Sequence, residues 1–204
     1  MSLPSKSIIF EIPMRHHQPK YLGLFFICSL FLVAANVPAH NELFTSHNGE
    51  ITFLSYAPLE VITARSNEMQ GAIDPVTRTF LFTVNVNTFH GFNSGLQQIH
   101  FNENYLETDV YPKATFDGKI IESVDFNIPG KYEVRAKGKL TIHGIPQERI
   151  INGAIEVFQD HIVVQSKFPV LLEDHQIKVP KVVYQKIAPE IDVTLHADLK
   201  KVSD

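Results

Sequence analysis

The chain has 204 residues, 44% hydrophobic and 20% charged, the balance expected of one globular domain. Its formal charge is −4 and its basic residues form no stripe, which argues against nucleic acid as a partner. Fifteen Phe with no Trp, together with 12 Pro and 10 Gly, describe an apolar chain cut into many short elements.

At the N-terminus, Arg15, His16, His17 and Lys20 precede an uncharged run of 14 residues, LGLFFICSLFLVAA, followed by Asn36-Val37-Pro38-Ala39. A basic region, a short apolar core and a small-residue exit form the pattern of a secretory signal peptide. The run is shorter than the ~20 apolar residues that span a bilayer. We therefore expect residues 1–39 to be removed, with Met14 as an alternative start, and residues 40–204 to form the mature domain in the periplasm or the medium. An uncleaved anchor is the rival reading. Cys28, the single cysteine, lies inside the run after Ile27, where a lipoprotein signal would carry a small residue. Cleavage takes three of the 18 basic and one of the 22 acidic residues, leaving 15 against 21, a net −6 and no disulfide.

The rest of the chain alternates like β-structure. A short strand is expected at 50–54 and a second at 61–73, interrupted by Ser66, Asn67 and Glu68. Asp74-Pro75-Val76-Thr77 is a turn, since Pro presets φ and Asp bonds back to the local backbone. A long strand follows at 79–89, with Phe80, Phe82, Val84 and Val86 on one face. The best helix candidate is 96–106, capped by Asn93 or Ser94, with Leu96, Ile99 and Phe101 or Tyr105 turned inward. Strands are expected at 115–121, 131–143, 148–158, 162–168 and 190–199. Gly144-Ile145-Pro146 and Gln159-Asp160-His161 serve as turns, and a helical turn opens near Pro180. The last strand places Ile191, Val193, Leu195, Ala197 and Leu199 on a dry face.

The clearest segment is KYEVRAKGKLTIHG at 131–144. Tyr132, Val134, Ala136, Gly138, Leu140 and Ile142 share one side, and charged or polar residues share the other. Small Ala136 and Gly138 at its centre leave room where a core strand would carry Val or Ile. About eight strands, frequent turns and little helix describe an all-β antiparallel barrel or sandwich. Long one-sided strands favour the barrel, with one or two short helices and an apolar interior that admits a guest.

The string NENYLETDVYPKATFDGKI followed by KYEVRAKGKLTIHGIPQE resembles the signature of the YceI-like family, exported polyisoprenoid-binding proteins with a lipocalin-like barrel. The matching pieces are His100, then Asp109 with Tyr111-Pro112 and Phe116, then Gly138 with Leu140-Thr141-Ile142-His143-Gly144. The likeness extends over about residues 49–200. Gln97-Gln98-Ile99-His100 stands where many members carry Arg-Asp ahead of the histidine, which marks a divergent branch. The resemblance implies an elongated barrel with an apolar tunnel that carries a polyprenol, an isoprenoid quinone or a similar amphiphile.

Residues expected to line that tunnel and its mouth are Phe53, Phe80, Phe82, Val84, Phe89, Phe92, His100, Phe101, Tyr105, Phe116, Val134, Ala136, Gly138, Leu140, Val193 and Leu195. Phe89, Phe92, Phe101, Tyr105 and Phe116 would equally serve as core. His100 is placed to bond a lipid head or to tie its helix to a strand. His143 and His196 alternate outward and read as solvated, although His143 with Gly144 also shapes a turn in which the ring would bond backbone. Eight histidines follow residue 39, none paired at metal-site spacing. No nucleophile elbow or phosphate-cradling loop is present, so an enzyme is not expected and no cofactor is required. The expected partner is the lipid itself, with transient membrane contact and a homodimer left open. Three rivals stand beside the carrier: a non-carrier structural barrel of the envelope, a small outer-membrane barrel, and an enzyme such as an isomerase or lipid hydrolase that uses the barrel cavity, for which His100 is the one candidate group.

Overall fold

The computed structural model describes residues 42–202. The expected signal peptide, Cys28 and the first residues of the expected mature chain lie outside the described residues. Eight strands form a closed antiparallel barrel: β1 (Leu43–Tyr56), β2 (Val61–Ile73), β3 (Thr79–Asn85), β4 (Lys113–Ile120), β5 (Gly130–Ile142), β6 (Ile145–Val157), β7 (His161–Leu171) and β8 (Glu190–Val202). Each strand pairs with the next, and β8 returns to β1 from Leu43↔Val202 to Leu54↔Asp192. That last ladder closes the sheet and decides between barrel and sandwich.

The alternation of the chain sets which side chains enter the barrel. On β8, Ile191, Val193, Leu195, Ala197 and Leu199 are buried while their neighbours are not. The outward positions of β5 are Lys131, Glu133, Arg135, Lys137 and Lys139. A membrane-spanning barrel needs an apolar outer band. This wall has the opposite polarity, which removes the outer-membrane alternative.

The first strand is longer than the expected 50–54. It begins at Leu43, and its buried positions switch from Phe44 and Ser46 to Gly49 and Ser55. The β1–β2 register shifts between Ser46 and Gly49 and again before Ile51. An extra residue in a strand flips every following side chain to the other face, so alternation breaks there. The same switch occurs on β2, where Ala64 and Ser66 are buried and then Met69 and Gly71. Ser66 is fully buried and sits 2.6 Å from the Thr88 hydroxyl, which itself donates to the Asn85 carbonyl. This small network ends β3 at Asn85 rather than Phe89, because Val86–Thr88 turn as a 3₁₀ helix.

Other local expectations divide. Asp74 Oδ1 accepts from the backbone N–H groups of Val76 and Thr77 at 2.8 and 3.1 Å, as the turn reading requires. The helix α1 (Gly95–His100) is capped by Ser94, whose hydroxyl accepts from Gln97 N–H. It is shorter than 96–106 and widens into a π-type turn over Phe101–Tyr105. Ile99 does not face inward, being 48% exposed, and Leu96, 62% exposed, borders the cavity only at its mouth. The turn after β5 is His143-Gly144, with φ of 50° and 70°. Two consecutive positive φ values make the tight hairpin turn whose twist matches its strands. Pro146 therefore belongs to β6, opposite Thr141.

Gly138 calls for a different explanation from the one expected. It lies directly opposite Gly118, and a Cβ on Gly138 would stand 2.3 Å from the Asp117 carbonyl oxygen. A Cβ on Gly118 would stand 2.2 Å from the Lys137 oxygen. The space beside Gly138 is thus taken by neighbouring backbone, and the glycine pair permits close approach of β4 and β5.

The two ends of the barrel differ. One carries short connections at 74–78, 121–129 and 158–160, and is packed solid by Phe44, Val124, Phe126, Val157, Ile162 and Leu199. The other carries the long segments 86–112 and 172–189. His175 anchors the second of these. It is fully buried, its Nδ1–H donates to the Ile145 carbonyl at 3.0 Å, and its own carbonyl accepts from His143 Nδ1 at 3.1 Å. His143 also bonds Glu107 at 2.6 Å, so its side chain is 12% exposed and not solvated. Burial pushes the His175 pKa down, and Arg149 acts in the same sense, against the Ile145 bond and the Asp174 charge.

Two outcomes are expected. Gly138→Ala forces β4 and β5 apart and lowers stability by about 2 kcal/mol, a drop of ~4–8 °C in thermal midpoint measured by circular dichroism. For His175, the unfolded chain binds a proton near pH ~6.5 and the folded state resists it. Its contribution is full above that pH and declines as pH falls below it. The thermal midpoint of the natural chain should therefore drop more between about pH 7.5 and 5.5 than that of His175→Gln; equal slopes would exclude His175 as the cause.

Candidate functional site

Beneath the long segments the barrel is hollow. A cavity of about 520 Å³ opens among α1, the 57–60 turn and residues 183–187, and is walled almost wholly by apolar side chains. It stops above the packed layer of Phe44, Phe126 and Leu199, which do not border it. The guest space is therefore a blind cup rather than an open tunnel.

Fifteen of the sixteen expected positions border this cavity. Phe53, Phe80, Phe82, Val84, Phe116, Val134, Ala136, Leu140, Val193 and Leu195 line it from the strands, and Phe89, Phe92, His100, Phe101 and Tyr105 from the 86–112 segment. Gly138 is the exception, for the reason given above. The aromatic residues form a cluster around Phe53, whose ring stacks on Phe101 at 5.4 Å and meets Phe89 and Phe92 at 5.6 and 5.9 Å. Phe80 and Phe116 form a second contact at 4.9 Å deeper in the wall. These rings border the hollow without filling it.

The wall also includes Ile62 and Met69 of β2, Ile151 and Ile155 of β6, and Val164, Phe168 and Val170 of β7, which sequence reasoning did not single out. Their signal was present in β7, where Ile162, Val164, Ser166, Phe168 and Val170 recur at every second position. The polar groups at the mouth carry no comparable signal. Glu60, Ser94, Gln97, His100 and Lys186 border the opening from three separate segments.

Those segments are tied together by polar side chains. Gln97 Nε2 donates to Glu60 Oε1 at 2.9 Å, Asn93 Nδ2 donates to the Val61 carbonyl at 2.9 Å, and Gln98 Nε2 donates to the Phe89 carbonyl at 3.1 Å. The helix is thus held by Asn93, Gln97 and Gln98, and His100 stands exposed at the mouth. Ser55, buried under the rim, accepts from Ala188 N–H at 2.9 Å and fixes the end of the 172–189 segment. Burial pushes the Tyr105 phenol up, so it stays a neutral hydroxyl beside the cavity. Among the described residues no three His, Cys, Asp or Glu side chains gather as a metal site.

The arrangement can take up an apolar tail and offer hydrogen bonds to a polar head. A family model for the YceI-like domain matches residues 38–199. The fold is similar to that of a polyisoprenoid-binding domain from Saccharophagus degradans implicated in plant cell wall breakdown, with a TM-score of 0.66 and 13% identity over 80% of this chain and 99% of that one. It is also similar to Burkholderia cenocepacia BcnA, with a TM-score of 0.60 and 17% identity over 74% of this chain and 95% of that one. Among curated proteins, no sequence matches this chain. With the family model spanning the whole barrel, the chain belongs to the YceI-like family.

Proposed function

We propose that the protein is an exported carrier or sequestering protein for an amphiphile with a long isoprenoid tail, a polyprenol or a quinone. The observation that carries this reading is the blind apolar cavity of about 520 Å³ under a polar mouth. Each CH₂ withdrawn from water contributes about 0.8 kcal/mol, so a tail needs no polar contact to be held. Gln97, His100 and Lys186 at the mouth are placed to bond a hydroxyl or carbonyl head. The likeness to a structure described as a polyisoprenoid-binding domain supports the same class of guest. The role we propose is binding rather than catalysis, in keeping with the likeness to a structure described as a polyisoprenoid-binding domain. Export rests on the pattern of residues 1–39, and the protein recovered from periplasm or medium should begin close to His40 by N-terminal sequencing.

The test is to purify the protein, extract it with organic solvent and identify the extract by mass spectrometry, then measure thermal stabilisation by added quinones and polyprenols. A bound isoprenoid and a rise in thermal midpoint are expected. Ala136→Phe, which adds a ring at the cavity wall, should weaken binding by at least ~10-fold, the equivalent of about two displaced CH₂ groups, while leaving the far-ultraviolet spectrum unchanged. An empty extract with no stabilisation by either class would leave a structural barrel without cargo.

A further inference from the structure

We propose that the rim of the cavity mouth is a docking surface for the face of an anionic lipid bilayer, a proposal that deepens the carrier reading and rests on it for its purpose. Six large apolar side chains stand exposed at this end, the three most exposed of them on the 57–60 and 172–189 segments and the end of β1. Tyr56, Leu59, Leu96, Ile99, Val182 and Tyr184 are 75, 66, 62, 48, 89 and 63% exposed. They stand on three segments that also border the opening, and those segments are bonded to one another. Leu59 N–H donates to the Gln185 carbonyl at 2.9 Å, and Gln97 reaches Glu60 on the same turn. The apolar residues therefore belong to one continuous rim. Exposed apolar groups gathered in this way mark an interaction surface.

Charge indicates the partner. Residues 176–189 hold Lys178, Lys181 and Lys186 and no acidic residue, in a chain whose overall charge is −4. All three lysines are exposed, and Val182 and Tyr184 stand between them. Lysine beside tyrosine and an exposed aliphatic residue is the composition of a segment that settles at a membrane interface, with apolar groups below the headgroups and ammonium groups among the anions. Continuity supplies the second argument: the same segment contributes Val183, Lys186 and Ile187 to the cavity mouth. Docking there would set the mouth against the bilayer, so a tail could pass between lipid and cavity with little exposure to water.

The experiment is flotation of the purified protein with vesicles of phosphatidylcholine alone and of phosphatidylcholine containing about a third phosphatidylglycerol. The natural chain should float with the anionic vesicles and lose most of that binding between ~50 and ~500 mM salt. Val182→Asp with Tyr184→Asp should weaken binding at least ~10-fold, and Lys178→Glu with Lys181→Glu should weaken it by about fivefold or more per lysine. None of these four side chains borders the cavity, so thermal stabilisation by farnesol should persist in both variants. Absence of flotation with anionic vesicles overturns the proposal, as does equal flotation of the Val182/Tyr184 variant. Self-association that this variant abolishes, without flotation, would assign the rim to a second copy and overturn it too. Failure of farnesol to stabilise any form, with flotation intact, would instead strike the carrier reading alone.

Discussion

Closure of the sheet is the constraint on which the molecule depends. With β8 hydrogen-bonded to β1, every strand has a neighbour on both sides and the inward face becomes a sealed apolar space. This chain fills one part of that space with its own side chains and leaves another part hollow. At one end Phe44, Val124, Phe126, Val157, Ile162 and Leu199 pack it solid, and Phe44 and Phe126 lie 5.7 Å apart. At the other end the walls diverge into a cavity.

The ends differ in what their connections carry, Val124 and Phe126 of the 121–129 connection packing into the solid end. The long segments at the opposite end supply aromatic residues that lean over the hollow from above. Phe101 stacks on Phe53, and Phe89 and Phe92 surround them, which gives an apolar collar rather than a plug. Polar anchors set this collar in place: Ser94 and Gln97 on α1, Ser55 beneath Ala188, and buried His175 under the hairpin of β5 and β6.

Core and cavity wall share residues here. Phe53, Phe80, Phe82 and Val84 belong to the core and also border the cavity. A guest tail would therefore extend the core, and its burial would stabilise the fold by mass action. The outer wall takes no part in this. On β5 that wall presents lysines, a glutamate and an arginine to the outside, whereas the rim exposes Val182 and Tyr184 beside lysines.

Much of the fold was legible in the chain, because a strand with one wet face writes its period directly into the residues. β5 and β8 alternate without interruption, and both were read with nearly their full extent. β1 was read short because its bulge near Asn48 reverses the period, and only the partner strand reveals that the chain continues through it. The inward faces of β3, β5 and β8, and with them part of the cavity wall, followed from alternation. Three things did not: that Gly138 is small for the sake of Gly118, that Ile99 points to solvent, and that Glu60, Gln97 and Lys186 meet at one mouth. Each depends on distances between segments far apart in sequence. The residues themselves determined a one-sided β-sheet with an oily face; only its closure decided that the oily face encloses a blind cup instead of a filled core.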